Sequence, residues 1–176
     1  GSTCADGSAG IGKKSVTGYT VGAGYTVKKP IIVPFGFYAN PNVVALGIDN
    51  MSRLMATQIF SDSVNSWAQL DPSLGTPSST TYPIVVCMRH AGSGTLATLN
   101  AAVLRGEVSM VSNERPVATS SKPVVWFNET SDDMKVCIQE NGGVTGGYAV
   151  GYMDADTASS AGKYTKLKWQ GVDGSD

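Results

Sequence analysis

The sequence predicts an α/β fold: a three-layer αβα lobe in which helices cover both faces of a mainly parallel mixed sheet. Two short apolar runs rich in β-branched residues, 84–88 and 124–127, have the composition of strands buried on both faces. Each run is followed by a segment whose apolar residues recur at helical spacing. Strands and helices that alternate in this way form parallel sheets with helices on both sides. The strands are expected at 31–37, 84–88, 124–127 and 148–152, and the helices at 50–60, 94–105 and 131–139.

The first expected strand, 31–37, contains Pro34, which cannot donate a hydrogen bond to a neighbouring strand. Proline within a strand indicates a sheet edge or a crossing between two lobes. The helix that follows has Asp49 or Asn50 as its capping residue. Its expected inward face consists of Met51, Leu54, Met55 and Ile59, with Phe60, Val64 and Trp67 packed beneath it. This stripe is typical of a core-facing helix rather than of a cofactor site.

Residues 84–106 predict a strand, a tight loop and a helix, and this unit carries the main functional signal. The strand ends at Arg89, Ser93 is a suitable N-cap, and Gly106 closes the helical segment. Backbone N–H groups at the start of such a helix point toward the loop and attract anions, while arginine supplies a charged planar fork. The candidate oxyanion-binding residues are Arg89, Ser93, Gly94 and Thr95. The same residue types are also typical of helix capping and of a solvated surface charge.

The last third of the chain repeats the alternation of strand and helix. Ser131 is expected to cap the helix at 131–139, whose first turn holds Asp132 and Asp133, where acidic side chains favour the helix dipole. Asn, Gly and Gly at 141–143 end this helix. Alternating residues at 147–153 and a final apolar segment at 163–169 predict two further strands.

The order Arg-x-x-Gly-Ser-Gly-Thr at 89–95 resembles the phosphate-binding proteins of bacterial phosphate ABC transporters. Upstream, 51–72 is similar to that family's helix and its following IF-G-x-x-x-x-W segment. Downstream, 146–167 is similar to its G-x-I-G-Y strand and the Y-x-x-L that follows. The resemblance covers 30–171 in the family's order. It implies one lobe of a type 2 periplasmic binding protein.

The resemblance implies that Arg89, Ser93, Gly94 and Thr95 bind phosphate or a similar oxyanion, with no cofactor. The better-known members carry an aspartate two residues after the arginine, to orient it, where this chain has Ala91. The family's other lobe, which supplies further ligand residues, has no match in this sequence. The implied partners are that second lobe and an ABC transporter permease, in a periplasmic or extracellular location. The segment 163–169 resembles the family's return into the other lobe, so without it we expect irregular packing or contact with a neighbouring chain.

The three cysteines are Cys4, Cys87 and Cys137. Cys87 lies in the expected central strand and Cys137 in the helix that should cover it, so the two are expected to lie close together. A disulfide and two buried free thiols are both compatible with this placement. Cys4 would remain unpaired.

Composition and motifs exclude several other classes of protein. A net charge of −1 argues against a nucleic-acid partner, and no apolar run of about 18 residues predicts a membrane span. A single histidine, His90, without Cys-x-x-Cys spacing, argues against a metal site. Residues 7–13 match the glycines and lysine of a phosphate loop, but Lys14 occupies the Ser/Thr position. Because no hydrolase elbow surrounds Ser93, the chain is not expected to be an enzyme.

The sequence thus divides into a Gly/Ser/Thr-rich segment at 1–29, a ligand-binding lobe at 30–171 and a tail at 172–176. Two functions from different classes remain. One is a solute-binding domain for an oxyanion, with phosphate as the expected ligand, for ABC-type uptake or sensing. The other is a structural or protein-interaction domain of the same fold that no longer captures phosphate.

Overall fold

The computed structural model describes residues 34–77 and 81–172. The predicted segment 1–29 with Cys4, the part 31–33 of the first expected strand, and 173–176 of the predicted tail therefore lie outside the described residues. The strands are β1 (Phe35–Ala39), β2 (Asn50–Met51), β3 (Ile84–Arg89), β4 (Val124–Asn128), β5 (Tyr148–Asp154), β6 (Thr165–Lys166) and β7 (Lys168–Trp169). The helices are α1 (Pro41–Ala45), α2 (Arg53–Phe60), α3 (Gly94–Thr98, continuing as a π-helix over Leu99–Leu104) and α4 (Ser131–Gln139), with 3₁₀ turns at Trp67–Gln69, Pro72–Leu74 and Asn141–Gly143.

The central sheet contains five strands in the order β4-β3-β5-β1-β6. β3 runs parallel to both β4 and β5, whereas β1 is antiparallel to β5 and to β6. Four strands therefore share one direction and β1 opposes them. The predicted mainly parallel mixed sheet is confirmed. β2 and β7 pair in parallel as a separate two-stranded ladder.

Helices cover both faces of the sheet. Neighbouring residues of a strand point to opposite sides, so each face offers its own set of side chains for a helix to pack on. On one face Gly151 lets α4 approach closely, since a Cβ there would lie 2.7 Å from the Met134 sulfur. On the other face, the ring of Phe60 in α2 stacks on Phe37 at 5.7 Å and meets the edge of Tyr152 at 5.5 Å. The predicted three-layer arrangement is confirmed, with a continuous apolar core on both sides of β3 and β5.

The expected start of the helix at 50–60 is wrong. Asn50 and Met51 form β2, and Ser52 is the N-cap, its hydroxyl accepting from the Met55 N–H at 3.1 Å. Leu54, predicted in the core, is 67% exposed, while Ala56, Ile59 and Phe60 form the buried face. Leu54 is two residues from Ala56, which places it on the far side of a 3.6-residue turn.

Two further helix starts also differ from the sequence prediction. Thr130, rather than Ser131, caps α4 through a capping box with Asp133. The short helix α1 was not predicted, although Asn40 at the cap and Pro41 at the first helical position are the usual start signals. The Asn40 amide also donates to the carbonyls of Ile138 and Gln139, both at 2.9 Å, and so ties α1 to the end of α4.

The final segment, expected as one strand at 163–169, is split. Thr165–Lys166 pairs with β1, and Lys168–Trp169 pairs with β2. Leu167 between them is buried and its N–H donates to the Phe37 carbonyl at 2.9 Å. The segment therefore pairs within this chain. Across the described residues, the structure contains no helix with the length and apolar character that a membrane crossing requires.

Candidate functional site

A cavity of about 560 Å³ opens at the carboxyl end of β3. The structure brings all four candidate residues into its lining: Arg89, Ser93, Gly94 and Thr95. Ser131 at the start of α4 and Asp154 at the end of β5 belong to its polar wall, together with His90 and Thr98, and Phe35 contributes an aromatic ring. The carboxyl ends of parallel strands are where open α/β sheets place their ligands.

Arg89 ends β3 at a fixed position in the backbone. Its N–H donates to the buried Tyr152 hydroxyl at 2.9 Å, and the next N–H, of His90, donates to the Asn128 carbonyl at 3.1 Å. Burial raises the pKa of Tyr152 above its ordinary 10.0, so this hydroxyl stays neutral. The chain then turns through Gly92 at φ 96°, which favours glycine.

Ser93 caps α3 as the sequence predicted. Its hydroxyl accepts from the Leu96 N–H at 3.4 Å and lies 2.9 Å from the Thr95 hydroxyl. The Cβ position of Gly94 faces open space, with no atom within 4 Å. Two hydroxyls and the backbone of Gly94 therefore line the cavity beside Arg89.

The guanidinium of Arg89 is held by neutral acceptors alone. It donates to the Asn128 carbonyl at 3.3 Å, the Glu129 carbonyl at 2.9 Å and the Ser131 hydroxyl at 3.1 Å. No carboxylate of the described residues forms an ion pair with it. The orienting partner that Ala91 cannot supply is thus provided by the last residue of β4, the loop after it and the first residue of α4, and Arg89 has no ion pair among the described residues.

Sequence reasoning missed this set of partners. Main-chain carbonyls carry no signature in a sequence, and the Ser131 hydroxyl was assigned to helix capping. The parallel pairing of Arg89 with Asn128 places the two strand ends side by side. That pairing would have been the signal, had the order of the strands been known.

The electrostatics of the cavity are mixed, since Asp154 brings a negative charge into the wall that carries Arg89. Asp133 in the first turn of α4 has its pKa lowered by hydrogen bonds from the side chain and backbone of Thr130, with a smaller contribution from Arg89. An anion would therefore rely on hydroxyl and backbone donors as well as on the arginine. Within residues 34–77 and 81–172, no three His, Cys, Asp or Glu side chains cluster as a metal site would need.

Cys87 and Cys137 lie together, as their expected positions on β3 and α4 predicted. The structure joins them as a disulfide, with Cα atoms 6.1 Å apart and a sequence separation of 50. The link fastens the strand that carries Arg89 to the helix that begins at Ser131.

Solved structures with the same architecture include an ABC-type phosphate transport receptor from Vibrio cholerae, with a TM-score of 0.54 and 18% sequence identity. The chain has the fold of part of this phosphate receptor. A putative phosphate ABC transporter substrate-binding protein from Clostridium perfringens, solved with bound phosphate, matches with a TM-score of 0.52 at 18% identity. No family model matches the sequence. No curated protein matches it either.

Both structural matches cover 80% of this chain but only 48% and 46% of the receptor chains. The chain thus spans about half the length of these receptors, consistent with one lobe of their fold. At 18% identity the likeness establishes the fold and leaves the ligand to be argued from the site.

Proposed function

We propose that this chain is one lobe of a non-catalytic, extracytoplasmic solute-binding protein, and that it binds an oxyanion, phosphate above all, at Arg89, Ser93, Gly94 and Thr95. The observation that carries the proposal is the guanidinium of Arg89, which forms no ion pair among the described residues, next to the hydroxyls of Ser93 and Thr95. A cation held by neutral groups keeps its charge for an anionic ligand, and hydroxyl and N–H donors can share the remaining oxygens.

The structural matches support this proposal, since both are named as phosphate receptors or transporter binding proteins. By the same reasoning we propose a second lobe and an ABC transporter permease as partners, for uptake or sensing, in the periplasm or outside the cell. The ligand-binding lobe would occupy 30–171, with 1–29 and 172–176 as flanking segments.

The test is a titration of phosphate, and of sulfate, into this chain and into a protein that joins it to an opposing lobe. One lobe supplies only part of the hydrogen bonds and leaves the ligand in water, so this chain alone should hold phosphate no more tightly than about 1 mM. With the opposing lobe, Arg89→Ala should cost about 2–4 kcal/mol of affinity because the enclosed oxyanion loses its cation. Arg89→Lys should recover only part of that loss, since a point charge lacks the planar fork.

Arg105→Ala is the matched control. It removes the same charge, but Arg105 hydrogen-bonds the Ala102 carbonyl and lies outside the lining of this cavity. Its phosphate affinity should equal that of the unmodified protein. An Arg89→Ala protein that binds phosphate as tightly as the Arg105→Ala protein would refute the receptor proposal.

The second candidate is a structural or interaction domain of the same fold. Ala91 in place of an orienting aspartate and a span of about half the matched receptors favour it. Absence of phosphate binding, with and without an opposing lobe, would establish this candidate instead.

A further inference from the structure

Ser131 lines the cavity, and its hydroxyl does not cap its own helix. It is the first residue of α4, and Thr130 before it performs the capping. The Thr130 hydroxyl accepts from the Asp133 N–H at 3.0 Å, and the Asp133 carboxylate accepts from the Thr130 N–H at 3.0 Å. The hydroxyl of Ser131 is therefore not needed to start the helix, and it lines the cavity instead.

The hydrogen-bonding capacity of Ser131 is half used. Its oxygen accepts from Nη1 of Arg89 at 3.1 Å. A guanidinium has donors only, so the serine hydrogen must go elsewhere. Among the described residues no acceptor is found for that hydrogen; Ser131 is exposed, so the hydrogen faces the water in the cavity, which a ligand would displace.

We propose that Ser131 is a further ligand-binding residue of this site and also positions Arg89. This inference rests on the proposed oxyanion-binding function and adds a residue from a second helix to it. By accepting from Arg89, the hydroxyl is turned so that its own hydrogen is available to an oxyanion. The guanidinium and the serine hydroxyl then present neighbouring donors, an arrangement that suits two oxygens of one tetrahedral oxyanion.

The contrast with Thr98 supports a specific role for Ser131. Thr98 lines the same cavity, but its hydroxyl donates to the Gly94 carbonyl at 2.9 Å within its own helix. Its hydrogen is thus already used. Thr98→Ala is therefore a matched control that removes a cavity hydroxyl without removing a free donor.

The experiment is a titration of inorganic phosphate into the full chain, followed by amide NMR, for the unmodified protein, Ser131→Ala, Ser131→Thr, Thr98→Ala and Arg89→Ala. Ser131→Ala should weaken binding about fivefold, as the loss of one partly exposed charge-assisted hydrogen bond predicts. Ser131→Thr retains the hydroxyl and should restore affinity to within about twofold, and Thr98→Ala should match the unmodified protein.

A second measurement without phosphate separates positioning from ligand binding. The Nε–H signal of Arg89 should report a less ordered side chain in Ser131→Ala than in the unmodified protein, and Ser131→Thr should restore it. Unchanged order in Ser131→Ala would overturn the positioning role, whatever happens to phosphate.

The outcomes of the titration distinguish this inference from the proposed function. If phosphate binds and Arg89→Ala abolishes binding while Ser131→Ala binds normally, the ligand-binding role of Ser131 is overturned and the proposed function stands. If phosphate binds neither this chain at tens of millimolar nor the protein that joins it to an opposing lobe, or if Arg89→Ala has no effect on binding, the proposed function and the ligand-binding role fall together. The Nε–H measurement alone then decides whether Ser131 positions Arg89.

Discussion

Arg89 is the last residue of β3 and Arg115 pairs with Val125 of β4, but the two guanidinium groups have different partners. Arg115 donates two hydrogen bonds to the carboxylate of the buried Asp62, at 2.8 and 3.0 Å, and one to the Pro123 carbonyl. Lys122 adds a second cation, 3.3 Å from the Asp62 carboxylate and 2.7 Å from its carbonyl. Arg89 instead donates to two carbonyls and one hydroxyl.

The difference separates an arginine that is paired with a carboxylate inside the fold from one that forms no ion pair among the described residues. The side chain of Asp62 is 11% exposed, so its charge needs partners, and the cluster ties the segment around Arg115 to the end of α2. The neutral acceptors around Arg89 fix its direction without cancelling its charge. Four predictions test this contrast, in order of decreasing expected effect.

The largest effect concerns the disulfide that fastens the frame around Arg89. Removing a link that closes a loop of 50 residues should lower the free energy of unfolding by about 3–4 kcal/mol in the chain-entropy model. Urea unfolding with and without reductant measures it. Thiol counting under denaturing conditions should find one free thiol, Cys4, without reductant and three with it. Three free thiols under both conditions would contradict the bond and, with it, an oxidising compartment.

Asp62→Ala should lower the free energy of unfolding by about 2–4 kcal/mol, because Arg115 and Lys122 lose their shared carboxylate while partly buried. The control is Asp132→Ala, which breaks an exposed ion pair with Lys135 and should cost only about 0–0.5 kcal/mol. Urea unfolding gives both values. Equal losses in the two variants would mean that the Asp62 cluster is as weak as a surface pair.

Arg89→Ala should cost less than about 1 kcal/mol of stability, since water can replace the guanidinium at its partly exposed acceptors. The same variant should lose phosphate affinity. Arg89→Ala should therefore affect binding more than stability, and Asp62→Ala should affect stability more than binding. Unfolding and titration of the same two protein samples measure this directly. A loss of stability at Arg89 as large as that of Asp62→Ala would make Arg89 a structural residue and end the contrast.

The smallest effect is the pH dependence of the Asp133 capping box beside Arg89. Hydrogen bonds from Thr130 hold the pKa of Asp133 below its ordinary 3.8, so its stabilisation is present above that value and is lost as the pH falls below it. Asp133→Asn should therefore destabilise the protein at pH 7 and make less difference at pH 3, in urea unfolding at the two values.

The Thr130→Ala background sharpens this last test. Thr130 lowers the pKa of Asp133 more than Arg89 does, so Thr130→Ala should diminish the effect of Asp133→Asn more than Arg89→Ala does. A larger change in the Arg89→Ala background would show that the guanidinium of Arg89 is paired with the Asp133 carboxylate and is not available to an anion.

Local signals in the sequence determined much of the fold. The apolar runs at 84–88 and 124–127 became β3 and β4, and the helix expected at 131–139 spans Ser131–Gln139. The four candidate residues on one loop were predictable for the same reason: a strand end, an N-cap and two glycines lie within a few residues of one another. Periodicity and capping are local properties, so a single sequence carries them.

Only the tertiary structure decided what surrounds those residues. The partners of Arg89 lie 39 to 42 residues away, from the end of β4 to the start of α4, and are mostly carbonyl groups, which every residue has. The pairing of Arg115 with Asp62 spans 53 residues, and the split at Leu167 depends on β1 and β2 lying on either side of it. Such contacts follow from the order of strands in the sheet, which is set by burial of the whole core and not by any segment alone. For this reason the sequence predicts the arginine of the candidate site but not the carbonyl and hydroxyl groups that hydrogen-bond its guanidinium.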